Sequence, residues 1–124
     1  MVKKKICFVD DEQDIVLLCK LVLEYEGYEV HTFTDPILAL TNYKPSYYDL
    51  IILDIKMPKI NGFELYKKIK DIDKDSKVCF LTAGEMQYEH FRRNGLRQLN
   101  KNNFLRKPIE NDELIIKVKQ LIDT

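Results

Sequence analysis

The stretch YDLIILDI, Tyr48 to Ile55, decides the fold. Its centre is an unbroken apolar run. It is too short for an ordinary helix and lacks the alternation of a strand with one wet face. Such a run is a strand buried on both sides, the kind found inside a parallel sheet. It carries Asp54 at its far end, where a buried strand meets a loop.

The neighbouring segments extend the pattern. PKING (58–62) has turn chemistry, and the chain from Phe63 to Ile72 places Phe63, Leu65, Tyr66 and Ile69 at helical spacing. KVCFLTA (77–83) is the next buried strand. Upstream, KKICFVD (4–10) is a first strand. Asp11 to Gly27 is a helix with Ile15, Leu18, Cys19, Val22 and Leu23 on its core face, an acid at its start and glycine at its end. YEVHTF (28–33) is a second strand, and Asp35 to Tyr43 is a short helix opening with the Asp-Pro pair favoured at helix starts. Downstream, Gly84 to Asn103 begins helically and includes RRNG (92–95), a helix-ending signal. NNFLRKP (102–108) holds a short fifth strand. Glu110 to Asp123 is a final helix with Leu114, Ile115, Val118, Leu121 and Ile122 along one side. Five strands alternating with five helices define an α/β fold, a parallel sheet covered on both faces. No repeat, linker or low-complexity segment divides residues 1–124, so one domain is expected.

Bulk properties exclude several classes. The chain has 124 residues, 45% of them hydrophobic and 32% charged, which fits a globular protein rather than a disordered one. Twenty basic residues balance twenty acidic ones, leaving no global charge to argue for nucleic acid or an anionic membrane. No apolar run approaches the roughly 20 residues of a membrane span, and the segment after the basic start is too short and acidic for a signal peptide. A cytoplasmic protein is expected. Cys7, Cys19 and Cys79 are scattered, odd in number and set among apolar residues. They read as buried thiols rather than as a zinc site or disulfide. His31 and His90 read as ordinary surface or half-buried residues. Tyr25, Tyr28, Tyr47 and Tyr48 read as packing residues.

In a sheet of this kind, ligands bind beyond the carboxyl ends of the strands. Asp10 and Asp11 follow the first strand, Asp54 ends the third, Thr82 and Ala83 end the fourth, and Lys107-Pro108 follows the fifth. Three carboxylates, a hydroxyl and an ammonium thus converge on one edge. Adjacent acids repel each other unless a cation sits among them, and a hard ion such as Mg²⁺ takes carboxylate oxygens together with a phosphate. Taken singly, each residue has a plainer reading: Asp10 and Asp11 as helix caps, Asp54 as a turn residue, Thr82 as a strand residue, Lys107 as a solvated lysine. Their combination gives them weight.

The set VDDE, LDIKMPKING, LTA and RKPI, in this order, resembles the receiver domain of two-component response regulators across essentially the whole chain. The resemblance implies a flavodoxin-like doubly wound sheet with strand order 2-1-3-4-5. It implies phosphorylation of Asp54 by a histidine kinase or a histidine phosphotransfer protein. It implies Mg²⁺, with Mn²⁺ as an alternative, on Asp10, Asp11, Asp54 and the backbone carbonyl of Lys56. Lys107 would pair with the phosphoryl oxygens. Thr82 and the N–H of Ala83 would bind the attached group, with Phe104 as the aromatic partner of a Thr82 switch. Phe104 lacks the hydroxyl of the more familiar tyrosine, which implies a differently biased switch. Pro108 is expected to follow a cis bond. The resemblance further implies a signalling module rather than a metabolic enzyme, and a homodimer formed on phosphorylation as one mode of output.

Three features depart from the family pattern. NGLRQLNKNNF stands where many receivers carry a GA-x-D-Y/F signature, in a segment a few residues longer than usual. Lys56 places a cation beside Asp54, and Gly84 leaves the site open beyond Thr82-Ala83. The first helix is apolar nearly all round: Val16, Leu17 and Leu21 remain after its core face is assigned. They form either a wider buried stripe or a docking surface for a donor's helix bundle. A stand-alone receiver is the principal expectation. The alternatives are the receiver part of a longer regulator with a DNA-binding or enzymatic output domain, a receiver-like binding module that is not phosphorylated, and a Mg²⁺-dependent phosphohydrolase with an aspartyl nucleophile. Against the last, haloacid-dehalogenase-like enzymes place a second Asp two residues after the nucleophile, where this chain has Lys56.

Overall fold

The computed structural model describes residues 2–83, 99 and 101–124. Apolar strand segments and amphipathic helices alternate as β1 (Lys5–Val9), α1 (Gln13–Tyr25), β2 (Glu29–Phe33), α2 (Pro36–Thr41), β3 (Leu50–Asp54), α3 (Gly62–Ile72), β4 (Val78–Thr82), a 3-10 turn (Lys101–Asn103), β5 (Phe104–Arg106) and α4 (Asn111–Asp123). All strand pairs are parallel, in the order β2-β1-β3-β4-β5. The fold class and strand order expected from the sequence are borne out. Four of the five expected helices lie among the described residues; the one expected within Gly84–Asn103 falls on residues outside them. Of that segment Leu99 is described, and it is buried.

The two-residue period of the strands divides the core into two layers. Cys7, Val9, Ile51, Leu53, Val78 and Phe80 pack with Ala39 of α2 and Phe63, Leu65, Tyr66 and Ile69 of α3. Ile6, Phe8, Leu50, Ile52, Cys79 and Leu81 pack on the other face, against Val16, Cys19 and Leu23 of α1 and Leu114 and Val118 of α4. Every residue of β3 and β4 is buried, as their continuous apolar runs require. The three cysteines are free and buried. Burial pushes the Cys7 and Cys79 thiols up to about 12 and Cys19 to about 11, so they remain protonated.

Local signals explain the helix ends. Asp35 caps α2 by accepting from the Ile37 N–H at 2.8 Å, with Pro36 in the first turn. Asn61 and Glu64 form a reciprocal capping box at the start of α3. Gly27, at φ +98°, ends α1: its N–H donates to the Glu24 carbonyl, and the Tyr28 N–H donates to the Leu23 carbonyl. This paired arrangement needs a left-handed residue, which glycine supplies without a β-carbon clash.

The core face of α1 differs from expectation. Val16, expected to be left over, is buried at 6% exposure, whereas Leu18, expected in the core, is 52% exposed. The buried set is Val16, Cys19 and Leu23, flanked by Ile15 and Val22. The helix is therefore turned by about half a residue from the phase its sequence suggested, a choice that an almost uniformly apolar helix leaves to tertiary packing. Tyr25, read as a packing residue, is 90% exposed. Tyr47 and Tyr48 do pack, edge to face with each other and around His31. Among the described residues no helix is long and apolar enough to cross a membrane.

Candidate functional site

The strand ends bring the site together. The pairing of β1 with β3, of β3 with β4 and of β4 with β5 brings Asp10, Asp54 and Thr82 to the carboxyl edge of the sheet, and all three are buried. The sheet continues one step past β5: the Lys107 N–H donates to the Thr82 carbonyl at 2.8 Å, and the Lys107-Pro108 bond is cis, as expected. Lys107 is thereby aimed back over the acids. Its ammonium lies 3.0 Å from Asp10 Oδ2, 3.0 Å from Glu12 Oε1 and 3.4 Å from Asp54 Oδ1.

The loop after β3 is fixed from below. The Gly62 N–H donates to the Ile55 carbonyl at 2.8 Å, and a β-carbon at Gly62 would overlap the Asp54 carbonyl oxygen. Glycine is required here for close backbone approach. Lys59, at φ 74°, sends its ammonium to Asp35 at 2.8 Å and ties the loop to α2.

Burial dominates the electrostatics. It pushes the Asp54 carboxyl up to about 7, aided by the negative Asp10 and opposed by Lys107. Burial also raises Asp10, against the Glu12 N–H bond to Asp10 Oδ1 (2.9 Å) and the Lys107 ammonium. Burial works against the Lys107 charge, but Asp10 and Glu12 outweigh it and hold its pKa above the ordinary value. Asp10 Oδ2 is buried and has no aligned hydrogen-bond donor, although it faces Lys107. Asp10, Glu12 and Asp54 each offer a carboxylate oxygen within 4.8 Å of the others. An oxygen-only set of three carboxylates, two of them buried, fits a small hard cation.

The structure thus joins Asp10, Asp54, Thr82 and Lys107. Asp11 is exposed at the rim and is not in the three-carboxylate group, though its charge still acts on Asp54. Lys56 and Ala83 are exposed beside the site. Phe104 is half-buried on β5, with its ring 5.6 Å from that of Phe80, on the sheet face that Thr82 shares. Sequence reasoning missed Glu12 as a site residue. The acid run itself was the available signal, but the alternation that orients side chains ends with β1 at Val9.

A doubly wound parallel sheet bearing two buried acids and an opposed lysine at its carboxyl edge defines the class: an α/β domain of flavodoxin-like topology with its polar cluster where such sheets bind ligands. Residues 6–119 match the family model of the response regulator receiver domain, and the chain belongs to that family. It is 36% identical over 114 residues to the response regulator SaeR of Staphylococcus epidermidis, covering 92% of this chain and 48% of that protein. The chain therefore spans about half the length of the curated relatives it matches. Among solved structures, the response regulator protein TrrA of Thermotoga maritima in complex with Mg(2+)-BeF is 40% identical, with a TM-score of 0.75 over 95% of this chain and 98% of that one. The non-phosphorylated HemR receiver domain of Leptospira biflexa is 29% identical, with a TM-score of 0.84 over 98% and 96%. The chain is a response regulator receiver domain of the two-component kind, a signalling module by family.

Proposed function

We propose that this domain accepts a phosphoryl group on Asp54 and passes the change to a partner. The observation that carries this reading is the Lys107 ammonium suspended between the buried carboxylates of Asp10 and Asp54. An Asp54 oxygen attacks the phosphorus of a phosphohistidine on a histidine kinase or phosphotransfer protein. The new O–P bond forms as the P–N bond breaks, and the electron pair leaves with the imidazole. Lys107 steadies the charge on the transferring oxygens. Thr82 and the Ala83 N–H receive the attached group, and Phe104 follows Thr82 as the switch. Asp10, Asp54, Asp11 through water and the Lys56 carbonyl would hold Mg²⁺ or Mn²⁺. When bound there, the ion supplies charge neutralisation at the phosphoryl oxygens. That the 40% identical TrrA forms a complex with Mg(2+)-BeF supports Mg²⁺ as the ion of this reading.

The exposed stripe on α1 supports a helical donor. Leu17 and Leu21 are each 57% exposed and lie with Leu18 and Tyr25 on the side away from the core. A contiguous apolar helix face beside the acidic pocket suits the helix bundle of a kinase or phosphotransfer domain. Charged substitutions at Leu17 and Leu21 that left transfer from the donor unchanged would remove this reading. The length of the natural reading frame separates a stand-alone receiver from one joined to an output domain.

The deciding experiment is intact mass after incubation with acetyl phosphate and Mg²⁺, with Asp54→Ala alongside. A phosphate-sized gain that needs Mg²⁺ and disappears in the variant is the expected result. No gain from acetyl phosphate, from a protein donor or with beryllofluoride would overturn the acceptor reading in favour of a binding module.

A further inference from the structure

We propose that Glu12 is a positioning residue of phosphoryl transfer, a latch that holds Lys107 back from Asp54 until the phosphoryl group arrives. The inference rests on the acceptor reading above. Three acids share the Lys107 ammonium: Glu12 and Asp10 at 3.0 Å each, and Asp54, the group it must serve, at the longer 3.4 Å. Asp10 is fully buried, so its hold on the ammonium is shielded from solvent. The Glu12 side chain is 59% exposed, so its hold is the one that solvent and a competing charge readily break.

The Glu12 side chain makes this contact in place of a helix cap. Glu12 is the N-cap of α1, yet its side chain makes no cap bond to the helix. A side chain at that position ordinarily satisfies one of the free N–H groups of the first turn. Here the Glu12 N–H is instead pinned to Asp10 Oδ1 at 2.9 Å, and the carboxylate crosses the pocket to a lysine 95 residues further along the chain. One short stretch therefore fixes Asp10 and aims Glu12 at the same ammonium. A phosphoryl group on Asp54 brings more negative charge than a carboxylate, and Lys107 moves to it on its flexible stem. Glu12 thus sets how quickly Lys107 is released, and its competition is weakest when the incoming group is already in place.

The test uses two variants and two readouts. Glu12→Gln keeps the shape and removes the charge. Glu12→Asp shortens the reach to Lys107 while supplying a better helix cap. The first readout is the rate of reductive methylation at Lys107, followed by peptide mass in metal-free protein. The second is the rate of phosphate uptake from acetyl phosphate at saturating Mg²⁺. Both variants are expected to label Lys107 and to take up phosphate roughly two- to fivefold faster than the wild type, the factor an exposed ion pair is worth. A purely structural role predicts instead that Glu12→Asp matches or exceeds the wild type in thermal stability with both rates unchanged. Equal labelling in all three proteins overturns the latch, as does faster labelling without faster uptake. A wild type that takes up no phosphate from any donor sinks the acceptor reading itself and the kinetic role of Glu12 with it. That failure is distinguishable because it appears before any variant is compared.

Discussion

Lys107 and Asp10 form an ion pair at 3.0 Å in which the acid is fully buried and the lysine side chain is 16% exposed. The pair is the fixed element of the pocket, and removing its cation leaves two buried acids facing each other. Lys107→Met is expected to lower stability at pH 8 without divalent ions by about 2 kcal/mol, below the usual cost of breaking a fully buried pair because Lys107 is partly solvated. Its raised pKa gives a definite sign. A lysine held above its ordinary value stabilises the fold at every pH below that value, and the benefit is lost only in strong alkali. Thermal melts at pH 8 and pH 5 check this. The loss should shrink at pH 5, where Asp54 can take a proton and relieve the repulsion. An equal loss at both values would show that Lys107 acts through packing alone.

Asp54 itself costs the metal-free protein stability. Burial, and then the charge of Asp10, raise its carboxyl from 3.8 to about 7. The folded state therefore holds a proton that the unfolded chain has released between those values, so stability falls as pH rises from about 4 to about 7. Above that window the full penalty applies; below it there is none. Asp54→Asn is expected to gain about 1–3 kcal/mol at pH 8, or several degrees in Tm, within the roughly 4 kcal/mol that the whole displacement represents. The gain should vanish near pH 4. Mg²⁺ should raise the wild-type Tm at pH 8 and raise that of the variant much less, since a ligand stabilises the state that binds it. A variant no more stable than the wild type at pH 8 would contradict the electrostatic reading.

Much of this was legible in the sequence because burial on both faces leaves an unmistakable pattern. The run Leu50–Asp54 reads as an interior strand, and the Asp35-Pro36, Asn61-Gly62 and Gly27 signals fix helix ends through local chemistry. Asp10, Asp54, Thr82 and Lys107 were legible as strand-end residues once the sheet order was inferred. Two things were not. The phase of α1 was hidden because apolar residues surround the helix, so only packing against β1 and β2 distinguishes Val16 from Leu18. The inward acid was hidden because the chain leaves the strand at Val9. Whether Asp11 or Glu12 turns toward Lys107 depends on the bond from the Glu12 N–H to Asp10, which no periodicity records.

Gly62 and Gly27 are both necessary, for different reasons, and the same substitution separates them. At Gly62 a β-carbon meets the Asp54 carbonyl oxygen and crowds Ile55. At Gly27 a β-carbon meets no atom within 4 Å, but φ is +98°. Gly62→Ala should cost about 1–3 kcal/mol by overpacking against backbone. It should also slow phosphate uptake, because the atoms that must yield belong to Asp54. Gly27→Ala should cost about 1–2 kcal/mol through left-handed strain and leave uptake unchanged. Urea unfolding and acetyl phosphate kinetics on both variants check the contrast. If Gly62→Ala lost stability without slowing uptake, the close approach would matter to the fold and not to the position of Asp54.

Tyr43 and Asp73 hold the far side of the domain in place. The Tyr43 hydroxyl donates to Asp73 Oδ2 at 2.5 Å, and the Ser46 N–H donates to the same oxygen at 3.1 Å. Both side chains are buried at 8% exposure, so the contact ties the loop after α2 to the end of α3. Burial, reinforced by the Asp73 carboxylate, pushes the Tyr43 phenol far above its ordinary value of 10. The neutral phenol is the bonded form, so the fold loses this contribution as pH rises past 10, where the unfolded chain ionises. Tyr43→Phe is expected to cost about 1.5–3 kcal/mol, the worth of a hydrogen bond to a charged group. Phosphate uptake should stay within about twofold of wild type, since the substitution leaves every atom of the acidic pocket in place. An alkaline absorbance titration gives an independent check: at least one tyrosine should ionise only as the protein unfolds, and Tyr43→Phe should reduce that delayed amplitude. If the variant melted at the wild-type temperature and titrated with the same delayed amplitude, the bond to Asp73 would be bearing none of the load assigned to it.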